Sequence, residues 1–172
     1  MFRVKRYLLS ALRRFLPDRA PKQPDFQQSH SQRAESEIRV AALVQNERDR
    51  ELLSRLALEH QWVLHFAQDG TEVWEVLNAR KAQIFLFERE AAGPDWRALM
   101  RKVVSGPHLV CAILVSDVTD GYLWNEVVMW GGHDVLVRPL GEENVARTIR
   151  LAWLYWNSAV KSKAGSPKAL VS

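Results

Sequence analysis

The chain has few of the features that would place it outside a reducing compartment. Its 172 residues include a single cysteine, Cys111, so a disulfide framework is excluded. Cys111 lies in an apolar run, a context typical of a small buried side chain. The N-terminal apolar stretch, residues 7–12, is too short to span a bilayer and is followed by two arginines, so neither a membrane span nor a signal peptide is expected there.

The common signatures of catalysis and cofactor binding are also missing. The sequence has no Gly-x-Gly-x-x-Gly, no Walker loop and no nucleophile elbow. Its five histidines show no metal-ligand spacing. We therefore expect no cofactor, no metal and no enzymatic activity.

Charge is unevenly distributed along the chain. Residues 1–37 carry a net charge of +4 and residues 157–172 carry +3, whereas residues 38–156 carry −3. A mildly acidic domain is a poor platform for nucleic acid, so no nucleic-acid partner is expected. Binding through the basic tails, which would depend steeply on salt, stays open as an alternative.

The first 16 residues are predicted to form an amphipathic basic helix. Val4, Leu8, Leu12 and Phe15 recur at helical spacing. The basic residues, which lie mostly elsewhere around the helix, are Arg3, Lys5, Arg6, Arg13 and Arg14. This helix could contact a membrane surface weakly, dock on a partner, or pack on its own domain. Residues 17–37 are rich in Pro, Gln and Ser and are predicted to be a linker.

From residue 38 the chain alternates between short apolar runs and helical patterns. Strands are predicted over 38–44, 62–66, 84–87, 109–115 and 135–137, and helices over 49–59, 71–79, 96–104, 120–130 and 142–158. Five such units predict one doubly wound α/β domain over residues 38–158, built on a parallel sheet covered on both faces. Residues 159–172 are predicted to be a disordered tail.

Specific residues narrow the choice of α/β fold. Residues 131–140, GGHDVLVRPL, resemble the signature Gly-Ala-Asp-Asp-Tyr-Leu-Thr-Lys-Pro-Phe of response-regulator receiver domains. Ser116 stands fifteen residues before Gly131, where that family keeps Thr or Ser. The resemblance implies a flavodoxin-like, CheY-like sheet of five parallel strands in the order 2-1-3-4-5, and a role in two-component signal transduction.

The same resemblance exposes departures at the positions where the family is phosphorylated. The phosphate-accepting Asp at the end of the third strand is replaced by Glu88, and the Mg²⁺-binding acids after the first strand by Gln45 and Asn46. Arg138 stands in place of the family's Lys, and Val135 in place of its switch aromatic residue. Without the metal nothing neutralises the phosphoryl oxygens, and the longer Glu side chain is misplaced for in-line attack.

The resemblance therefore implies a degenerate receiver, or pseudo-receiver, that signals through protein–protein contact. Glu88 could pair with Arg138 and imitate a phosphorylated state, or Glu88, Gln45 and Asn46 could be solvated loop residues. Two other functions stay open: a phosphorylatable receiver of a phosphorelay that uses Glu88 or Glu47, and a small flavodoxin-like ligand-binding domain.

The last two helices carry more apolar residues than one buried face needs. Val145, Ile149, Ala152 and Trp156 form the core stripe of the last helix. The surplus residues on both helices are Trp124, Trp130, Leu151, Trp153, Leu154 and Tyr155. Such residues indicate a protein partner or a homodimer, or packing under the N-terminal helix. We expect a cytoplasmic location, peripheral to the inner face of the membrane if the N-terminal helix docks there.

Overall fold

The structure, a computed structural model, describes residues 37–91, 95–118 and 120–164. The predicted N-terminal helix and nearly all of the predicted linker lie outside the described residues. The ten elements, in chain order, are β1 (Arg39–Leu43), α1 (Glu47–His60), β2 (Val63–Phe66), α2 (Gly70–Arg80), β3 (Ile84–Glu88), α3 (Trp96–Val104), β4 (Cys111–Ser116), α4 (Gly121–Met129), β5 (Asp134–Val137) and α5 (Glu142–Ala164).

The five strands form one parallel sheet in the order β2-β1-β3-β4-β5, as predicted. The central strands β1, β3 and β4 are buried along nearly their whole length, because helices cover both faces. Alternate residues of each strand point to opposite faces. Phe85 and Phe87 pack beneath α2, α3 and α4, and Ile84 and Leu86 pack beneath α1 and α5.

Short polar side chains begin the helices at the carboxyl edge of the sheet. Asn46, Asp69, Asp95 and Asp120 each accept a hydrogen bond from a backbone N–H in the first turn of α1, α2, α3 and α4. At the end of α4 the chain turns through Gly131 at φ 85°, and the N–H of Gly132 donates to the carbonyl of Val127. This is a glycine cap at the C-terminal end of the helix.

Helix α5 is longer than the sequence analysis expected. It continues to Ala164, six residues past the predicted end, so the prediction of a disordered tail from residue 159 is wrong for residues 159–164. No glycine or proline interrupts the chain until Gly165, and the small and basic residues before it are compatible with a helix. Within the described ranges, no helix combines the length and apolarity that crossing a membrane requires.

The thiol of Cys111 is enclosed between the sheet and α5. The side chain is 4% exposed, and its Sγ lies 3.4 Å from the carbonyl oxygen of Ala152. Burial raises the pKa of Cys111 to about 11, against the weaker opposing effect of the backbone at Trp156.

Since the thiolate is the reactive form, we expect native protein at neutral pH to react with a thiol reagent at least about a hundredfold more slowly than protein in urea. The measurement uses an aromatic disulfide as the reagent and follows the absorbance of the aromatic thiolate that it releases. Because the chain has one cysteine, this absorbance reports the reaction of Cys111 alone.

Candidate functional site

The candidate site lies where the carboxyl ends of β1, β3 and β5 meet. Glu88 is the last residue of β3 and is 4% exposed. Its Oε2 accepts a hydrogen bond from the N–H of Gln45 at 2.9 Å, and its Oε1 accepts one from the N–H of Asn46 at 3.0 Å. The loop after β1 thus binds the carboxylate of Glu88 through its backbone. The alternative that Glu88 is a solvated loop residue is wrong.

Arg138 joins this carboxylate from the end of β5. Its Nη2 donates to Oε1 of Glu88, and its Nε donates to Oδ2 of Asp49 at 2.6 Å. The expected Glu88–Arg138 ion pair is therefore present, but the guanidinium is divided between two carboxylates and does not bind Glu88 with both arms. All three side chains are largely buried, so removing any one of them would leave a buried charge without its partner.

Two more carboxylates surround the outer side of the same guanidinium. Nη1 of Arg138 lies 3.5 Å from Asp117 and 4.0 Å from Glu90, both of which are mostly exposed. Burial, the largest single influence, would lower the pKa of Arg138. The hydrogen bond to Asp49 and the charges of Glu88, Asp49 and Asp117 outweigh it, so the pKa is raised above its ordinary value. The guanidinium is permanently charged.

Of the other residues that the sequence predicted for this site, Asn46 and Ser116 bind backbone N–H groups through their side chains, whereas Gln45 and Glu47 bind none in the described part of the chain. The side chain of Asn46 caps α1, accepting from the N–H of Asp49 at 3.3 Å, while the Gln45 side chain is exposed. Ser116 is fully buried, and its Oγ accepts from the N–H of Val118 at 3.1 Å. Glu47, the alternative acid of this loop, is exposed. Asp49 enters the site instead.

The donor groups at this edge do not fit Mg²⁺. The loop positions that would supply carboxylates offer two amide side chains, and the acids that are present, Asp49 and Glu88, already face a guanidinium. Among the residues that the structure describes, no group of three metal-ligating side chains could hold an ion. Arg138 is the cation that these two carboxylates bind.

We call Arg138 and the carboxylates around it, Glu88, Asp49, Asp117 and Glu90, the Arg138 cluster. A cleft of about 570 Å³ opens beside it, between the start of α1 and the loop from β5 to α5. Three cations and three acids line it: Arg48, Arg55, Arg138, Asp49, Asp117 and Glu142. Arg55 and Glu142 pair with each other across it at 2.7 Å. Because its charges balance, the cleft has no electrostatic preference for a phosphate-bearing ligand.

The surplus apolar residues of the last two helices separate into two groups. Trp130 and Trp153 are half-buried and pack against the core, so they contribute less to a surface than the sequence suggested. The other predicted residues are exposed and form what we call the aromatic face: Trp124, Leu151, Leu154 and Tyr155.

The aromatic face is continuous across the start of β5. Trp124 Nε1 donates to Asp134 at 3.1 Å, and the ring of Tyr155 lies 5.6 Å from that of His133. Burial lowers the pKa of His133, against the opposing charge of Asp134. The lowered pKa favours the neutral form of the imidazole beside Tyr155, and with it apolar contact at this face.

No protein-family model matches the sequence, and no curated protein matches it either. Solved structures do match in fold. The signal receiver domain of an HD domain-containing protein from Pseudomonas fluorescens Pf-5 is 19% identical, with a TM-score of 0.63 over 71% of this chain and 98% of that one. The chemotaxis response regulator CheY4 of Vibrio cholerae is 16% identical, with a TM-score of 0.59 over 68% of this chain and 99% of that one.

A third match is the receiver domain of the Saccharomyces cerevisiae response regulator Ssk1, solved with the histidine phosphotransfer signaling protein Ypd1. It is 11% identical, with a TM-score of 0.58 over 66% of this chain and 86% of that one. These matches, together with the strand order, show that the domain has the receiver, or CheY-like, fold.

Proposed function

We propose that this chain is a pseudo-receiver: a signalling module of receiver fold that is not phosphorylated and acts through protein–protein contact. The observation that supports this most directly is the occupied carboxylate of Glu88. Both of its oxygens accept hydrogen bonds from the backbone, and one also binds Arg138. A carboxylate held by three donors has little freedom to attack a phosphodonor.

The charge around Glu88 supports the same proposal. Phosphoryl transfer requires cations that stabilise the equatorial oxygens while leaving the nucleophile free. Here the nearest cation, Arg138, is bound to Glu88 and Asp49 and is flanked by Asp117. An incoming phosphoryl group would meet carboxylates on several sides. We infer that the Arg138 ion cluster occupies the place that a phosphoryl group and its metal take in a phosphorylated receiver.

The first test is whether phosphodonors leave the protein unphosphorylated. Incubation of the protein with acetyl phosphate and Mg²⁺ should leave its intact mass unchanged, and no heat of Mg²⁺ binding should appear in calorimetry at millimolar concentrations. A stoichiometric gain of one phosphoryl group would overturn the proposal and favour a phosphorelay receiver that uses Glu88 or Glu47.

A matched variant shows whether the fold itself can support the chemistry. The four changes Gln45→Asp, Asn46→Asp, Glu88→Asp and Arg138→Lys place the residue types of the phosphorylated family at the corresponding positions. We expect this variant to bind Mg²⁺ and to gain a phosphoryl group under conditions in which the wild type does not. Labelling of both proteins would contradict the proposal.

The aromatic face supports contact with a protein as the mode of action. Its exposed apolar side chains take no part in the ion pairs of Arg138 with Glu88 and Asp49, so binding there needs no chemistry at Glu88. We propose a homodimer through this face as the first candidate. The basic residues predicted in the N-terminal helix, Arg3, Lys5, Arg6, Arg13 and Arg14, are proposed as a second, weaker contact, with a membrane surface or a partner.

A further inference from the structure

The edge of the sheet opposite the Arg138 cluster is rich in uncompensated positive charge. Helices α2 and α3 run antiparallel to the strands, so both end at the amino edge of the sheet. Arg80 and Lys81 stand at the end of α2, and Arg101 and Lys102 in the last turn of α3. We call these four residues the basic edge. The mildly acidic domain therefore concentrates cations at one end.

Two of these cations are held in place by stacking on tryptophans. The guanidinium of Arg101 lies 4.8 Å from the ring centroid of Trp130, and the ammonium of Lys102 lies 4.5 Å from that of Trp74. Favourable interactions with the helix termini explain cations in a last turn, but they do not require this ordering. Stacking orders the side chains while leaving their charge unneutralised, which lowers the entropic cost of binding an anion.

Acidic side chains do little to neutralise the basic edge. Among the described residues, no carboxylate lies within ion-pair distance of its four cations. The nearby carboxylates have other partners. Glu126, one turn before the Trp130 on which Arg101 stacks, pairs with Arg97. Glu37 pairs with Arg39 at 3.2 Å, and Asp134 accepts hydrogen bonds from Trp124 and Val135.

The described chain also enters and leaves at this edge. Glu37 is two residues before β1. Nε1 of Trp156 donates to the carbonyl of Leu109, just before β4, at 2.6 Å, which sets Trp156 level with the amino edge. The eight residues of α5 beyond it extend about 12 Å farther at 1.5 Å per residue, and they include the exposed Lys161. The segments of the sequence that precede and follow the described domain, residues 1–36 and 165–172, contain nine basic residues and three acids.

The carboxyl edge has the opposite charge. Each of the five helices has an acid at its N-cap or in its first turn, and the Arg138 cluster adds more: Glu47, Asp49, Asp69, Glu72, Asp95, Asp120, Glu142, Glu143, Glu88, Glu90 and Asp117. The domain is thus polarised along the strand direction, basic at the amino edge and acidic at the carboxyl edge. A charged surface would orient it.

We propose that the basic edge docks onto an anionic lipid surface, with the acidic carboxyl edge of the sheet facing away from the membrane. Lipid is favoured over nucleic acid because the basic residues 1–16 also carry an apolar stripe of Val4, Leu8, Leu12 and Phe15. A bilayer accommodates both cations and apolar side chains, whereas a phosphate backbone accommodates only the cations. This inference does not depend on the proposed pseudo-receiver function, because it uses none of the residues around Glu88.

The test compares two full-length triple variants of equal net charge. One removes cations from the basic edge (Lys81→Gln, Arg101→Gln, Lys102→Gln), and the control removes three exposed cations elsewhere (Arg48→Gln, Arg147→Gln, Arg150→Gln). Binding is measured by sedimentation with vesicles of equimolar phosphatidylcholine and phosphatidylserine, with pure phosphatidylcholine vesicles and with duplex DNA. Far-UV circular dichroism melts confirm that each variant is folded.

Each cation close to an anionic bilayer contributes about fivefold to partitioning, so the basic-edge variant should bind roughly a hundredfold more weakly than the wild type. The control should lose far less, and raised salt should weaken wild-type binding. Equal losses in the two variants, equal binding to both kinds of vesicle, or no vesicle binding at all would overturn the proposal. Tighter binding to DNA than to anionic vesicles would overturn it in favour of nucleic acid.

Discussion

The substitution Arg138→Ala is expected to destabilise the domain by about 3–5 kcal/mol, because it leaves the buried carboxylates of Glu88 and Asp49 facing each other without a cation. Glu88 is 4% exposed and Asp49 is 6% exposed, so neither can recover its hydration without local opening. The backbone N–H groups of Gln45 and Asn46 still bind Glu88, but they carry no net charge. Urea denaturation followed by tryptophan fluorescence measures the loss.

Two further proteins separate the ion cluster from a general effect of removing an arginine. Arg147→Ala removes an exposed arginine of α5 and should cost less than about 0.5 kcal/mol. The uncharged variant Asp49→Asn, Glu88→Gln, Arg138→Met should recover most of the stability lost in Arg138→Ala, because no charge is left buried without a partner. An Arg138→Ala protein as stable as wild type would show that solvent reaches the two carboxylates.

The fold was predictable from the sequence because its signals are local and repeated. Apolar runs such as residues 109–115 alternate with amphipathic segments. A parallel sheet covered on both faces buries the apolar strands and the apolar side of each amphipathic helix. Several helix boundaries differ from the predicted ones by one or two residues. Helix α1, for example, begins at Glu47, directly after its cap Asn46, and not at residue 49. The end of α5 differs from the prediction because a polar, basic composition is compatible with both a helix and a disordered tail, and no glycine or proline before Gly165 ends the helix.

The candidate site was only partly predictable. Strand-end positions can be counted along the chain, which placed Glu88 and Arg138 at one edge and suggested their ion pair. Asp49 was missed because an acid in the first turn of a helix is ordinarily explained by the helix dipole. The spacing of three residues between Asn46 and Asp49 could have indicated it. Residues three apart lie on the same face of a helix, so the side chain of Asp49 lies near the cap. The sharing of one guanidinium between two carboxylates depends on side-chain geometry, which no sequence pattern specifies.

The aromatic face was predicted as a surplus, and the structure shows which part of that surplus is free to bind. Trp153 illustrates the difference. It packs against the core, and its buried ring N–H has no hydrogen-bond partner among the described residues. Helical periodicity alone placed it at the border of the face. Leu151, Leu154 and Tyr155 are 47–59% exposed, and contact with another molecule would remove this apolar surface from water.

The substitution Tyr155→Glu is expected to weaken self-association by at least about thirtyfold, because a charge would replace a central aromatic side chain of the proposed interface. Tyr155 is 59% exposed, and its ring rests against His133, so the folded monomer should lose less than about 0.5 kcal/mol. Leu58→Glu is the matched control, since Leu58 is 83% exposed on α1 and the change introduces the same charge. Sedimentation equilibrium gives the dimer constants, and thermal melts give the stabilities. Equal dimer constants for the two variants, or a wild type that stays monomeric, would exclude the aromatic face as a dimer interface, whereas unfolding of Tyr155→Glu would show that this ring belongs to the core.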